Sequence, residues 1–140
     1  MSYKYLEAEA LRGLTILHVK VSFPVGHPKY CYRTSDESVL LQTFGRSFRI
    51  HHNQACCESV QLASITGDLN HLIGSPILDA EKRIETSEWP ADLDKENFFV
   101  EESFTITSVI ITTALGTVCI RWVGTSNRWY GESVDLEELT

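Results

Sequence analysis

Hydrophobic and polar residues alternate over much of this chain. In residues 15–23, Leu17, Val19, Val21 and Phe23 share one parity and His18, Lys20 and Ser22 the other, the period of a half-buried strand. Pro24, Gly26 and Pro28 then break the run. Residues 30–33 suit a short strand and residues 34–38 a polar turn. Residues 39–44 and 48–52 are rich in strand formers on either side of Gly45, which predicts a hairpin or bulged strand with Gly45 supplying positive φ. Residues 59–65 alternate through Val60, Leu62 and Ser64. Residues 104–113 and 117–123 form the strongest pair, rich in Ile, Val and Thr and joined through Ala114, Leu115 and Gly116. Residues 132–136 suit a last short strand.

Helical signals are sparser. Residues 3–12, with Leu6 and Leu11, predict a short helix or an extended lead-in stopped by Gly13. Asp68 is placed to cap a short helix over residues 69–74, with Leu69, Leu72 and Ile73 facing inward and Gly74 and Pro76 closing it. Residues 77–86 have mixed polarity. Residues 85–101 read as a long acidic loop around Trp89 and Pro90. The sum is one α+β domain over residues 1–140: a mainly antiparallel sheet with one or two short helices packed on it.

Composition narrows the function classes. The 140 residues are 43% hydrophobic, enough for one core, yet no apolar run is long enough to span a membrane. The first residues show no export signal, so the four cysteines (Cys31, Cys56, Cys57 and Cys119) are expected reduced, in a cytoplasm. The net charge is −7, which argues against non-specific binding to polymeric nucleic acid. It is unevenly spread. Residues 1–50 hold seven basic residues against four acidic ones, a balance of +3, and the remainder five against fifteen, a balance of −10. This describes either a solvated acidic face or two unlike surfaces that meet between subunits.

Three clusters carry candidate chemistry. His51, His52, Cys56, Cys57, Glu58 and Ser59 lie within nine residues. Imidazole and thiolate suit zinc, but the paired short spacing of a structural zinc site is missing. A thiol nucleophile would need an oriented base, and no motif supplies one. The plain alternative is a strand end whose polar groups satisfy a turn. Arg121 and Trp122, then Ser126, Asn127, Arg128, Trp129 and Tyr130, form the second cluster. Strand alternation puts Cys119, Arg121 and Val123 on one face and Val118, Ile120 and Trp122 on the other. Arginine pairs phosphate and aromatic rings stack bases, so this set suits a small anionic nucleotide, or else a rim of the core. The acidic group from Glu81 to Glu102 has no calcium-loop spacing and reads as a solvated loop.

The strings HNQACCESV, GDLNHLIGSPIL and TVCIRWVGTSNRWYGESVDLEEL resemble a family of small phage and prophage proteins, over most of the chain from about Thr15. Two positions depart from that pattern: Arg128 stands where it has Gly, and Gly131 where it has Ser. In size and strand-rich layout the family is similar to Thoeris anti-defence sponge proteins. That resemblance implies a phage-encoded homo-oligomer in the host cytoplasm. It would hold a cyclic ADP-ribose-type signal or cyclic oligonucleotide at subunit interfaces without cleaving it. Arg121 and Arg128 would then pair the phosphates, Trp129 or Tyr130 stack the base, and Asn127 or Glu58 read ribose or base edges, with His52 and Ser59 beside Glu58. No cofactor, catalytic residue or metal ligand is assigned. Two other readings stand: an acidic protein that blocks a host defence protein, and a thiol or metal-dependent enzyme around His52, Cys56 and Cys57.

Overall fold

Alternation becomes strand almost wherever it occurs. A computed structural model describes residues 3–22, 37–53, 57–98, 100, 102–128 and 130–139. The described strands are β1 (Tyr3–Leu6), β2 (His18–Ser22), β3 (Ser38–Gln42), β4 (Ser47–His51), β5 (Ser59–Thr66), β6 (Ile77–Glu85), β7 (Ser103–Thr113), β8 (Gly116–Ser126) and β9 (Asp135–Leu139). They form two sheets, ordered β1-β9-β4-β3-β2 and β5-β8-β7-β6. Every neighbouring pair is antiparallel. Val39, Leu41, Phe48 and Ile50 of the first sheet join Val60, Val109, Ile111, Val118, Ile120 and Trp122 of the second in one hydrophobic cluster. The sheets therefore share a core, as the layers of a sandwich do.

The mainly antiparallel sheet is as expected; the helices are not. Among the described residues the only helical pieces are single 3₁₀ turns at Ala8–Leu11, Leu69–Leu72 and Lys95–Asn97. Asp68 does cap its turn, accepting a hydrogen bond from the Asn70 amide at 2.9 Å. Three or four residues are too few to repay the nucleation of an α-helix. Of the two readings of residues 3–12, the extended lead-in holds at Tyr3–Leu6, which is β1 and pairs with β9, and a single 3₁₀ turn follows it. The fold is a small β-rich domain, less α+β than expected. The strand expected over residues 30–33 and the turn at 34–36 lie outside the described residues.

Local irregularities account for the other differences. A register shift between Leu62 and Ser64 flips the alternation of β5. Ile65 then packs against the core, and Ser64 meets Arg121 on the outer face. The last strand begins at Asp135 because residues 131–134 cross from one sheet to the other. β6 forms from residues of mixed polarity because it is a sheet edge, where only Ile77 and Ala80 are buried.

The acidic loop is a strap across the outer face of the second sheet. Trp89 meets Phe104 edge-on at 5.3 Å and Phe98 at 5.8 Å, and its indole N–H donates to the Leu93 carbonyl at 2.6 Å. Asp92 holds Arg121. Between those two anchors lies the cross-strand pair Ile106 and Val123, which is buried although it belongs to the face turned away from the main core.

Candidate functional site

His52 and Glu58 are brought together at the end of the sandwich. Glu58 is 0% exposed and its Oε2 lies 2.8 Å from His52 Nε2. His52 Nδ1 lies 2.8 Å from the Ser133 carbonyl, so Nδ1 must carry a proton and donate. The facing Nε2 and carboxylate then hold one more proton between them. Both ring nitrogens are thus engaged within the fold. The pair ties the start of β5 to the crossover at residues 131–134. Ser59 opens β5 and is buried.

The same crossover is gripped from the other side. Glu132 accepts hydrogen bonds from the hydroxyls of Ser103, Ser126 and Thr105, the last at 3.0 Å. These hydroxyls sit on the inward register of β7 and β8, continuing the row that holds Val109 and Ile120. A Cβ on Gly124 would lie 1.9 Å from the Glu132 carbonyl oxygen, so only glycine lets the crossover pack this closely. Glu132 was not among the expected site residues. The signal was present: hydroxyl residues replace apolar ones at inward positions while the strands continue.

His51 faces the outer side of the first sheet, hydrogen-bonded to buried Glu137, with Arg49 3.9 Å from the same carboxylate. Burial pushes the His51 pKa below its ordinary value, assisted by the Arg49 charge and opposed by Glu137 and Asp135. Neutral His51 therefore donates Nε2–H to Glu137. In the unfolded chain His51 takes up a proton below about pH 6.5, while the folded protein resists it. Stability is then full above that pH and falls as the pH drops from it toward the lowered folded value. A melting series from pH 7.5 to 5.5 is expected to show this fall, and His51→Gln to flatten it.

Arg121 occupies the outer face of β8 as alternation predicts, but it is engaged. Its guanidinium pairs in a fork with both Asp92 oxygens, one contact at 3.2 Å, and its Nε donates to Ser64 Oγ at 2.9 Å. The hydrogen bonds from Arg121, aided by its charge and opposed by desolvation, hold the Asp92 carboxyl below the usual carboxylate range. Five residues of strand, about 17 Å, separate Arg121 from Ser126, so the structure does not bring it to the turn that follows.

That turn carries the other expected residues. Asn127 and Arg128 are exposed and Tyr130 is partly so; Trp129 lies outside the described residues. Arg128 has φ +79°, the only non-glycine with positive φ among the described residues. Its amide donates to Ser126 Oγ at 3.0 Å, the hydroxyl that also serves Glu132. This left-handed geometry is one glycine adopts freely and an arginine adopts only at a cost. Among the described residues Arg128 makes no ion pair.

Cys57 is disulfide-bonded, against the expectation of reduced thiols, and Cys119 is free. Cys31 and Cys56 lie outside the described residues. Among the described residues no group of His, Cys, Asp and Glu is arranged to hold a metal ion, and no helix is long and apolar enough to cross a membrane. A cleft between the sheets, lined by Leu11, Ile50, Val109 and Val134 with Lys82 and Asp135 at its rim, has room for about one water molecule.

No curated protein and no solved structure matches the chain. Residues 7–136 match the family described as Domain of unknown function (DUF7448). That span covers nearly the whole sandwich, from the residue before the first 3₁₀ turn into β9, and the chain belongs to the DUF7448 family.

Proposed function

We propose that this protein is a non-catalytic binding module that captures a small anionic nucleotide, a cyclic ADP-ribose-type or cyclic oligonucleotide signal, without cleaving it. The turn at residues 126–130 carries this reading. It presents an exposed guanidinium on a backbone already held by Ser126 and, through Ser126, by Glu132. Such preorganisation lowers the ordering cost of binding. Asn127 and Tyr130 stand beside Arg128 to read and stack, and Arg128 pairs phosphate. A second subunit completes the site in a homo-oligomer, because an exposed turn alone does not enclose a nucleotide. His52 and Glu58 act as the clamp behind the turn rather than as acid and base. The resemblance to phage anti-defence sponges supports the same reading, in which the protein works in a host cytoplasm.

The test is recovery of the ligand. Protein purified from cells that make the signal is washed, heat-denatured and analysed for released nucleotide. Intact signal is expected in near-stoichiometric amount. Arg128→Gly is expected to move two observables in opposite directions. It relieves the left-handed backbone and stabilises the fold by about 0.5–1 kcal/mol, while weakening retention of the nucleotide by roughly tenfold or more. Release of a cleaved product overturns the reading in favour of an enzyme. A stoichiometric host protein without a nucleotide overturns it in favour of the acidic inhibitor.

A further inference from the structure

The two ends of the sandwich differ in character. One gathers Glu58, Glu132 and the turn at residues 126–130. The opposite end is built from residues 13–17, the β3–β4 turn at residues 43–46, residues 67–78 and the β7–β8 turn at residues 113–116. Hydrogen bonds join these segments into one surface. The Leu17 amide donates to the Gln42 carbonyl at 2.7 Å, the Gly74 amide to the Ile16 carbonyl at 2.9 Å, and the Thr113 hydroxyl to the His71 carbonyl at 2.6 Å.

Six large hydrophobic side chains are exposed among the described residues, and four of them, Leu17, Phe44, Leu78 and Leu115, belong to this end. Phe44 is 93% exposed at the tip of its turn, which the Thr43 amide closes on the Arg46 carbonyl at 2.8 Å. Leu115 is 56% exposed at the tip of the other turn. The same segments hold one full positive charge, Arg46, and one negative charge, Asp68, in a chain of net charge −7. Arg46 is paired with Glu138, and next to Leu78 Asp79 is paired with Arg12. The charges around the apolar tips are thus neutralised within the chain.

Large apolar groups gathered at one exposed place mark contact with a protein or a membrane. Shape selects between them here. A stable protein interface needs a continuous patch of about 800 Å² per partner. At this end the apolar groups are single side chains on four separate segments, with exposed Gly13, Gly45, Gly67 and Gly74 among them. Such tips share no flat surface, but a fluid headgroup layer closes around each. Charge selects the lipid. An anionic surface repels a chain of −7, whereas a zwitterionic one meets an end without net charge. We propose that this end is a membrane-docking surface, whose tips, Phe44 and Leu115 foremost, enter the headgroup region of a zwitterionic bilayer. The turn at residues 126–130, at the other end of β8, then points away from the lipid. The proposal concerns the protein alone and does not depend on any nucleotide.

Co-sedimentation with phosphatidylcholine vesicles tests it, with circular dichroism to confirm that each variant is folded. A few partly inserted side chains give reversible binding on the scale of one acyl chain, about 10⁴ M⁻¹, so half the protein is expected on the vesicles near about 0.1 mM lipid. Replacing part of the phosphatidylcholine by phosphatidylserine is expected to weaken binding at low salt. Phe44→Ser is expected to weaken it roughly tenfold, and Leu115→Ser added to it to abolish it. Ile84→Ser, at a side chain 52% exposed near the other end of β6, is expected to leave it unchanged. Phe44→Trp is expected to add fluorescence that brominated phosphatidylcholine quenches. No binding to phosphatidylcholine, binding that requires phosphatidylserine, or equal losses from Ile84→Ser and Phe44→Ser would each overturn the proposal. A wild-type dimer in light scattering that Phe44→Ser dissolves would also overturn it, because a second copy and not lipid would then cover this end.

Discussion

Glu58→Ala is expected to lower the melting temperature by about 10 °C, the largest loss from any polar site here. Glu58 is fully buried, and its removal leaves His52 Nε2 facing no acceptor or donor inside the fold. Breaking one side of a buried, hydrogen-bonded pair costs about 3 kcal/mol or more. For a domain of this size that converts to roughly 10 °C. Glu58→Gln separates packing from charge. Its amide can donate to Nε2 of a neutral His52 while Nδ1 still donates to Ser133, so the loss should shrink to about 1 kcal/mol. Thermal melts of the two variants beside the wild type check this; equal losses would mean that the volume of the side chain, not the pair, matters.

Glu132→Ala is the second large effect, expected at about 2–3 kcal/mol. It strips three hydroxyls of their shared acceptor at a buried position. Some of the loss is recovered, because Ser103 Oγ also reaches the Ser126 carbonyl at 3.4 Å and Ser126 Oγ the Tyr130 carbonyl at 3.4 Å. Glu58 and Glu132 grip the same crossover from opposite sides. Once one grip is gone, the other holds a segment that is already loose. The double variant is therefore expected to lose less than the two single losses combined, and denaturant titration of all four proteins measures the coupling.

The sandwich was legible where one face of a strand meets the core and the other meets water. Val19 and Val21 pack inward as their parity predicts, whereas ahead of β2 Leu17 of the same parity is exposed and Ile16 is buried; the hairpin through Gly45 forms with φ +88° at that residue. Val118, Ile120 and Trp122 take the core face of β8. Alternation failed in three physical situations. At the edge strand β6 only one end touches the core, so charge replaces the apolar half of the pattern. In β5 a register shift exchanges the faces after Leu62. At Val123 and Ile106 the outer face is apolar because the strap covers it, which no local pattern could announce.

The candidate site was legible as residue types and less so as roles. His52 and Glu58 do meet, six residues apart in the chain. Their partner Ser133 lies 81 residues beyond His52, and that distance in sequence hides the clamp. Arg121 and Arg128 belong to one motif on the page, yet a straight strand holds them apart, and Asp92 from the strap engages the first. Spacing in an extended strand grows by about 3.3 Å per residue, so a compact motif need not make a compact site.

The order of the first sheet sets a schedule for the chain. β9 is the last described strand to be synthesised, yet it lies between β1 and β4, two of the earlier ones. Until it arrives, both flanking strands display open backbone edges, and β1 has no neighbour in the sheet. Antiparallel pairing between segments this distant in sequence is slow, and open edges recruit other chains. A ribosome stalled before residue 135 would therefore release not a slightly shortened sandwich but two separated pieces of a sheet, each prone to stick to its neighbours in the polysome.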